Sequence, residues 1–372
     1  MARVQAIAES GISKVPSQYV QPPSTRPAIS KQCRDGGLSC FSDEASVEIP
    51  VIDLGLSEVA VRKAMSDACE KWSAFSVVNH GVSIELLDEI RRVGLYFFRD
   101  CSMEEKLRYS CDPNSPFASQ GYGSKMLVSD TNTVSSSDNL NAGSNNVLDW
   151  RDYFDHHTLP ISRRNPSRWP HHPLNYRETM SKYSDEMKAL ALRLMSLISE
   201  CLEVSSKCIQ EAVGEIYQNI TISYYPPCPQ PELTLGLQSH SDMGAISLLI
   251  QDQVPGLQIR KGSQWVTVQP SPHSILVLLS DQIEIITNGK YRSSEHRVLT
   301  NREKPRLSVA TFHDPDPSRK ISPTRELVSD SFPQRYKEIK YGDYVSSWYT
   351  KGPEGKRNLD ALIINQQLDS SV

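Results

Sequence analysis

The feature that most restricts the fold is a change of period after Asn219. From there, short β-rich runs follow one another closely: Ile220 to Tyr225, Ala245 to Ile250, Leu257 to Arg260, Trp265 to Val268, Ile275 to Leu279, Ile283 to Thr287, Arg297 to Leu299 and Arg306 to Phe312. Pro, Gly or Asn turns separate many of them, and such a pattern predicts a sandwich or jelly roll. The preceding half keeps a helical period. Val61, Ala64, Met65, Ala68 and Trp72 mark one helix. Ser83 opens another, with Leu86, Leu87, Ile90 and Phe97 on its buried side. The series Met180, Tyr183, Met187, Leu190, Leu194, Ile198 and Leu202 marks the longest.

Around these, Arg3 to Glu9 reads as a short helix ending at Gly11, followed by a proline-punctuated arm. Strands are expected at Ile49 to Leu54, Ala74 to Val78 and Leu148 to Phe154, and Ser102-Met103-Glu104-Glu105 fits a capping box. Ser129 to Asn146 is almost wholly Ser, Asn, Asp and Thr, a composition expected of a mobile loop. Tyr341 to Tyr349 reads as a helix returning over the barrel mouth. The expected class is α+β with a mainly β core. Its parts are an arm and linker (1–48), a helical region packed on the core (49–215), a β-core (216–320) and a C-terminal helix and tail (321–372).

A chain of 372 residues can bury a large core, and 40 basic against 44 acidic residues leave a net charge of -4. That balance gives no electrostatic reason to seek nucleic acid or an anionic membrane. No apolar run is long enough to span a bilayer, and the N-terminus does not read as a signal peptide. The eight cysteines, at 33, 40, 69, 101, 111, 201, 208 and 228, form no C-x-x-C pair. Free thiols in a cytoplasmic monomer are the economical reading.

Chemistry concentrates between His240 and Ser308. His240 and Asp242 are two apart at a strand end, so both side chains project to one side. His296, leading into another strand, can complete a facial set of two imidazoles and one carboxylate, the ligand set of non-haem Fe(II) oxygenases. Taken alone, His296 would be a surface histidine between Glu295 and Arg297. Arg306 and Ser308 share one strand face, and a buried guanidinium needs an anion. Tyr225, beside Pro226-Pro227, is either a further hydroxyl for that anion or a core aromatic. His80 reads as a turn histidine. The pairs His156-His157 and His171-His172 read as parts of proline-rich connections, where neighbours point apart and cannot chelate, leaving at most one as a substrate contact.

These residues stand within motifs that resemble plant 2-oxoglutarate- and Fe(II)-dependent dioxygenases of specialised metabolism, the class of anthocyanidin synthase, flavonol synthase, coumarin-forming hydroxylases and jasmonate-induced oxygenases. The resemblance runs from Ile49-Pro50-Val51-Ile52-Asp53 and Val78-Asn79-His80-Gly81 to Gly352-Pro353-Glu354-Gly355-Lys356. It is densest at Tyr224-Tyr225-Pro226-Pro227-Cys228-Pro229, His240-Ser241-Asp242, Asn288-Gly289-Lys290-Tyr291 and Glu295-His296-Arg297-Val298. It implies a double-stranded β-helix, with iron on His240, Asp242 and His296. It implies 2-oxoglutarate on Arg306 and Ser308, assisted by Tyr225, and substrate near Tyr153, Phe312 and the C-terminal helix. O2 would be the oxidant and ascorbate the reductant.

Three positions depart from the family pattern: Ser223 stands for Asn, Ser73-Ala74 for Gly-Phe, and Ser280 for Gly. The implied reaction is hydroxylation or desaturation of a small hydrophobic plant metabolite, phenylpropanoid or alkaloid-like, with release of succinate and CO2. A jasmonate-type hormone is the second reading. It is disfavoured because the arginines with which jasmonate oxidases clamp an acid correspond to Thr221, Val345 and Tyr349. A silent ligand-binding member of the fold and a metal-binding cupin without a keto-acid co-substrate remain as rivals of other classes.

Overall fold

The computed structural model describes residues 3–27, 48–112, 120–124, 147–351 and 357–364. The loop expected at 129–146 lies outside the described residues. The N-terminal half supplies α1 (Val4–Glu9), β1 (Val51–Asp53), α2 (Glu58–Lys71), β2 (Ala74–Val78), α3 (Ile84–Arg99), α4 (Met103–Arg108), β3 (Gly121–Gly123), β4 (Asp152–Leu159), α5 (Tyr176–Cys201) and α6 (Cys208–Val213). Then come β5 (Tyr217–Tyr225), β6 (Leu237–His240), β7 (Ile246–Gln251), β8 (Leu257–Lys261), β9 (Gln264–Thr267), β10 (Ile275–Leu279), α7 (Asp281–Ile286), β11 (His296–Val298) and β12 (Arg306–Asp314). The chain continues through β13 (Lys320–Ile321), β14 (Ile339–Lys340), α8 (Tyr341–Lys351) and α9 (Arg357–Asp360).

Several helices start where their caps dictate. The Ser83 and Ser102 hydroxyls accept from the Leu86 and Glu105 amides, filling donors that the first turns of α3 and α4 leave open. The buried face of α3 carries Leu86, Leu87, Ile90, Val93 and Phe97, and that of α5 carries Met180, Tyr183, Met187, Leu190 and Leu194. Both faces enter one core with Ile220 and Ile222 of β5 and Leu307 and Val309 of β12.

Strands β1 to β12 form a double-stranded β-helix of two sheets, and β13 pairs with β14 apart from them. The large sheet runs β1-β2-β10-β7-β12-β5-β4-β3, and the small one β6-β11-β8-β9. One face of the large sheet meets the helices. Its other face meets the small sheet across a second apolar cluster that includes Tyr225, Leu249, Leu257, Ile259, Leu278 and Val298. Because strand side chains alternate, each long strand contributes to both cores. Strands from both halves of the chain share the large sheet, so the helical layer and the barrel are built on common strands.

Three expectations need correction, the first being the strand expected at Leu148 to Phe154, which runs instead over Asp152–Leu159. Ile283 to Thr287 is not a strand: Asp281–Ile286 is helical and buried on all sides. Isoleucine-rich composition suggests a strand only when one face is exposed, and a short fully buried helix has no such asymmetry. Its acids are held by the C-terminal segment, with the Tyr344 hydroxyl donating to Asp281 at 2.6 Å and the Tyr336 hydroxyl to Glu284 at 2.7 Å. His156 and His157 do not lie in a proline-rich connection but within β4, with both rings buried.

His156 faces the helical core, between the Ile220 carbonyl at 2.8 Å and the Tyr176 hydroxyl at 2.9 Å. Burial is the main reason its pKa falls to about 4, against 6.5 ordinarily. A folded-state pKa below the unfolded one means that its contribution is intact above pH 6.5 and is lost as pH falls toward 4. At pH 5 the imidazole should cost about 2 kcal/mol of stability relative to pH 7.5. Urea unfolding at the two pH values should show a His156→Gln protein losing about 2 kcal/mol less than wild type across this interval.

Candidate functional site

Side-chain alternation and register place the site residues in rows across the inner face of the large sheet. Arg306 pairs with Tyr225. The next row inward is Gln251, Ser308, Ser223 and Tyr153; then Leu249, Ala310, Thr221 and Asp155; then Ser247, Phe312, Asn219 and His157; then Asp314 with Tyr217. The intervening residues, Leu307, Val309, Ile220, Ile222 and Phe154, belong to the helical core. A one-residue slip in any strand would exchange these two sets.

His240 ends β6 and His296 begins β11, and the two residues are direct partners across the small sheet. Their ring centroids lie 4.2 Å apart. Asp242 follows β6, its Oδ1 3.5 Å from Nε2 of His240 and 3.7 Å from Nε2 of His296. The three possible ligand atoms all lie within 4.8 Å of one another, and all three residues are buried. Carbonyl oxygens fix both tautomers: Nδ1 of His240 donates to Gln238 at 2.8 Å, and Nδ1 of His296 donates to Ser294 at 3.1 Å. Each Nε2 is thereby turned toward Asp242 as a lone-pair donor, the arrangement that tunes metal-ligating histidines.

Burial opposes charge throughout this group. It would raise Asp242, but the His296 and His240 imidazoles hold its carboxyl down at about 2. It lowers His296, assisted by His240, to about 4. Burial also pulls on His240, but the Asp242 carboxylate outweighs it and leaves that pKa raised. Asp242 Oδ2 is buried without a hydrogen-bond partner. Two imidazole nitrogens, neutral once they ligate, and a carboxylate with spare acceptor capacity suit one divalent cation of the iron type.

Arg306 is the second centre, and it is buried. Its Nη2 donates to Gln251 Oε1 at 2.7 Å, its Nη1 is 3.5 Å from Ser308 Oγ, and its guanidinium lies 5.1 Å from the Tyr225 ring centroid. Among the described residues Nε has no partner, so a buried cation retains donor capacity, and none of their carboxylates lies within ion-pairing distance of it. The arrangement suits the far carboxylate of a dicarboxylic co-substrate. Two glycines make room. A Cβ at Gly256 would stand 3.0 Å from Arg306 Cδ, and one at Gly236 would stand 2.6 Å from the Tyr225 ring.

Tyr153 and Phe312 occupy the inner face, as a substrate contact requires, and Ser223 receives a bond from Arg151 Nη1 at 3.2 Å. Arg151 also lies 5.4 Å from the Tyr153 ring centroid. His80 bonds the His273 carbonyl at 2.9 Å in a structural role. Sequence reading missed the polar inner-face residues Asp155, Asn219 and Asp314, and had His157 only within a pair placed in a connection. Their only signal was strand parity, which needed the correct boundaries of β4 and β12.

The comparisons agree with this geometry. Residues 216–315 match the family model of the 2OG-Fe(II) oxygenase superfamily, and residues 49–172 match that of the non-haem dioxygenase in morphine synthesis N-terminal region. The chain is 37% identical over 370 residues to jasmonate-induced oxygenase 4 of Arabidopsis thaliana, covering 98% of this chain and 97% of the relative. It is 34% identical over 348 residues to flavanone 3-dioxygenase 2 of Oryza sativa subsp. japonica, covering 93% and 92%. A solved structure of JOX2 in complex with 2OG, Fe and JA superposes with a TM-score of 0.85 at 37% identity, covering 98% of each chain.

The chain belongs to the 2OG-Fe(II) oxygenase superfamily. It is an oxidoreductase, a dioxygenase using Fe(II) and 2-oxoglutarate, with plant relatives.

Arg306→Leu should weaken 2-oxoglutarate binding on the order of 100-fold, because it removes charge-assisted bonds to a buried anion. Calorimetric titration of the metal-loaded protein measures this, and an unchanged Kd would remove Arg306 from the clamp.

Proposed function

We propose that His240, Asp242 and His296 hold the iron, that Arg306 and Ser308 with Tyr225 hold 2-oxoglutarate, and that Tyr153 and Phe312 contact a small organic substrate. When bound, iron and co-substrate would supply, with O2 as the oxidant, an oxidative decarboxylation in which one oxygen atom goes to succinate with release of CO2 and the other serves to oxidise a substrate C–H bond. The protein's own contribution is orientation. Gln238 and Ser294 aim the imidazoles, Gln251 steadies Arg306, and the apolar residues between the sheets exclude water. The observation that carries this reading is the buried His-Asp-His group in one barrel with a buried arginine that has no carboxylate partner among the described residues.

The substrate proposed is a small, mainly hydrophobic plant specialised metabolite, undergoing hydroxylation or desaturation. The second reading, a jasmonate-type hormone, is favoured by the likeness to JOX2 in complex with JA. Against it, Thr221 stands where an acid-clamping arginine is expected. The described cysteines are free, which supports a cytoplasmic location, and none of the described helices is long and apolar enough to cross a membrane. The proposed working form is a monomer, with 216–320 as the oxygenase core and 49–215 as its helical support.

His240→Ala and Asp242→Ala should each abolish iron-dependent succinate formation, whereas wild type forms succinate faster with a true substrate. Mutants equal to wild type would end the enzyme reading. Turnover of jasmonic acid alone, from a panel of pure phenylpropanoids, alkaloids and jasmonates, would reverse the substrate ranking.

A further inference from the structure

The inner face of the large sheet is not uniformly apolar beyond the co-substrate clamp. Asp155 stands in the third row, opposite Thr221, and His157 and Asn219 stand in the fourth. Asp155 Oδ1 accepts from the Thr221 hydroxyl at 2.8 Å, and its Oδ2 lies 3.5 Å from His157 Nε2. Nη2 of Arg163 lies 2.8 Å from His157 Nδ1. A guanidinium can only donate, so Nδ1 must accept and the His157 proton sits on Nε2, turned toward Asp155. Three side chains therefore fix this carboxylate's position and orientation inside the barrel.

Carboxylate oxygens together accept about four hydrogen bonds, and the two contacts on Asp155 leave part of that capacity open. One row away, Asn219 Oδ1 is buried without a partner. These two acceptors in neighbouring rows have no further donor among the described residues, which leaves room for a donor carried by a guest molecule. Leu249 and Ala310 share the Asp155 row, and Phe312 shares the Asn219 row, giving an apolar wall beside the acceptors.

We propose that Asp155, positioned by His157, Arg163 and Thr221 and flanked by Asn219, is a specificity-determining residue that receives a hydrogen-bond donor of the substrate, an alcohol, phenol or ammonium group, while the apolar body lies against Leu249, Ala310 and Phe312. The proposal rests on the reading that this chain oxidises a small molecule inside the barrel. It narrows the substrate to molecules that are mainly apolar but carry a donor head. A carboxylate in the same place would meet the Asp155 charge in a low-dielectric setting and be rejected.

The test uses the iron-loaded full chain with 2-oxoglutarate and matched probes on one skeleton: cinnamyl alcohol, cinnamylamine, cinnamic acid and cinnamyl methyl ether. Iron-dependent succinate formation without probe is measured first, against His240→Ala. Its absence defeats the oxygenase reading itself. Where it is present, the alcohol or amine should stimulate succinate release, with kcat/KM about 10- to 100-fold above the acid and the ether. Asp155→Leu should erase that preference, mainly through KM. The isosteric Asp155→Asn, which guards against misfolding, should keep the alcohol and lose the amine. Preference for the acid, no stimulation by either donor-bearing probe, or unchanged preferences in both variants overturns the proposal.

Discussion

The site depends on the cost of burying charge without an equal internal partner. Asp242 and Arg306 lie in one barrel, and each has a buried polar atom with no partner. Charge taken out of water is expensive unless it is paired, so such groups persist where a guest completes them. In the proposed function a divalent cation would complete the first, and a dicarboxylate would complete the second. The same low-dielectric interior that makes the unpaired groups costly also makes the completed contacts strong and directional.

Everything nearby limits the freedom of these groups. The Gln238 and Ser294 carbonyls hold the two imidazoles, and Gln251 holds the guanidinium. Gly256 and Gly236 clear the space that Arg306 and Tyr225 occupy. Farther out, α7 packs behind Asp242, whose carbonyl accepts from the Asp281 amide at 2.9 Å. Tyr344 and Tyr336 tie α7 to the C-terminal segment. The C-terminal helix thus supports the metal ligands from behind, through buried hydroxyl–carboxylate bonds.

Much of the fold was legible because alternation and helical period report burial directly. Ala74–Val78 and the helix after Ser83 match their expected limits, and the Ser102 cap forms as its spacing requires. The triad was legible because two residues of a strand end share a side and the downstream Arg306 took His296 out of the surface reading; the structure adds that His296 pairs directly with His240. The buried helix Asp281–Ile286 was not legible, since uniform burial removes periodicity. His156 and His157 were misplaced for a related reason: every residue of β4 is buried, so the strand carries no polar alternation.

The sequence implied the reaction class through the resemblance its motifs carry, while spacing put His240 with Asp242, and Arg306 with Ser308, on common faces. Tertiary structure decided which residues complete each row. Asp155 and Thr221 are 66 positions apart in the chain yet share a hydrogen bond, and His240 meets His296 only across the small sheet. Contacts of that kind arise from strand register, which is set by packing on both faces of a sheet at once. The proposed metal and co-substrate residues are therefore written in short motifs, whereas the inner face proposed to meet the substrate exists only once β4, β5, β7 and β12 lie side by side.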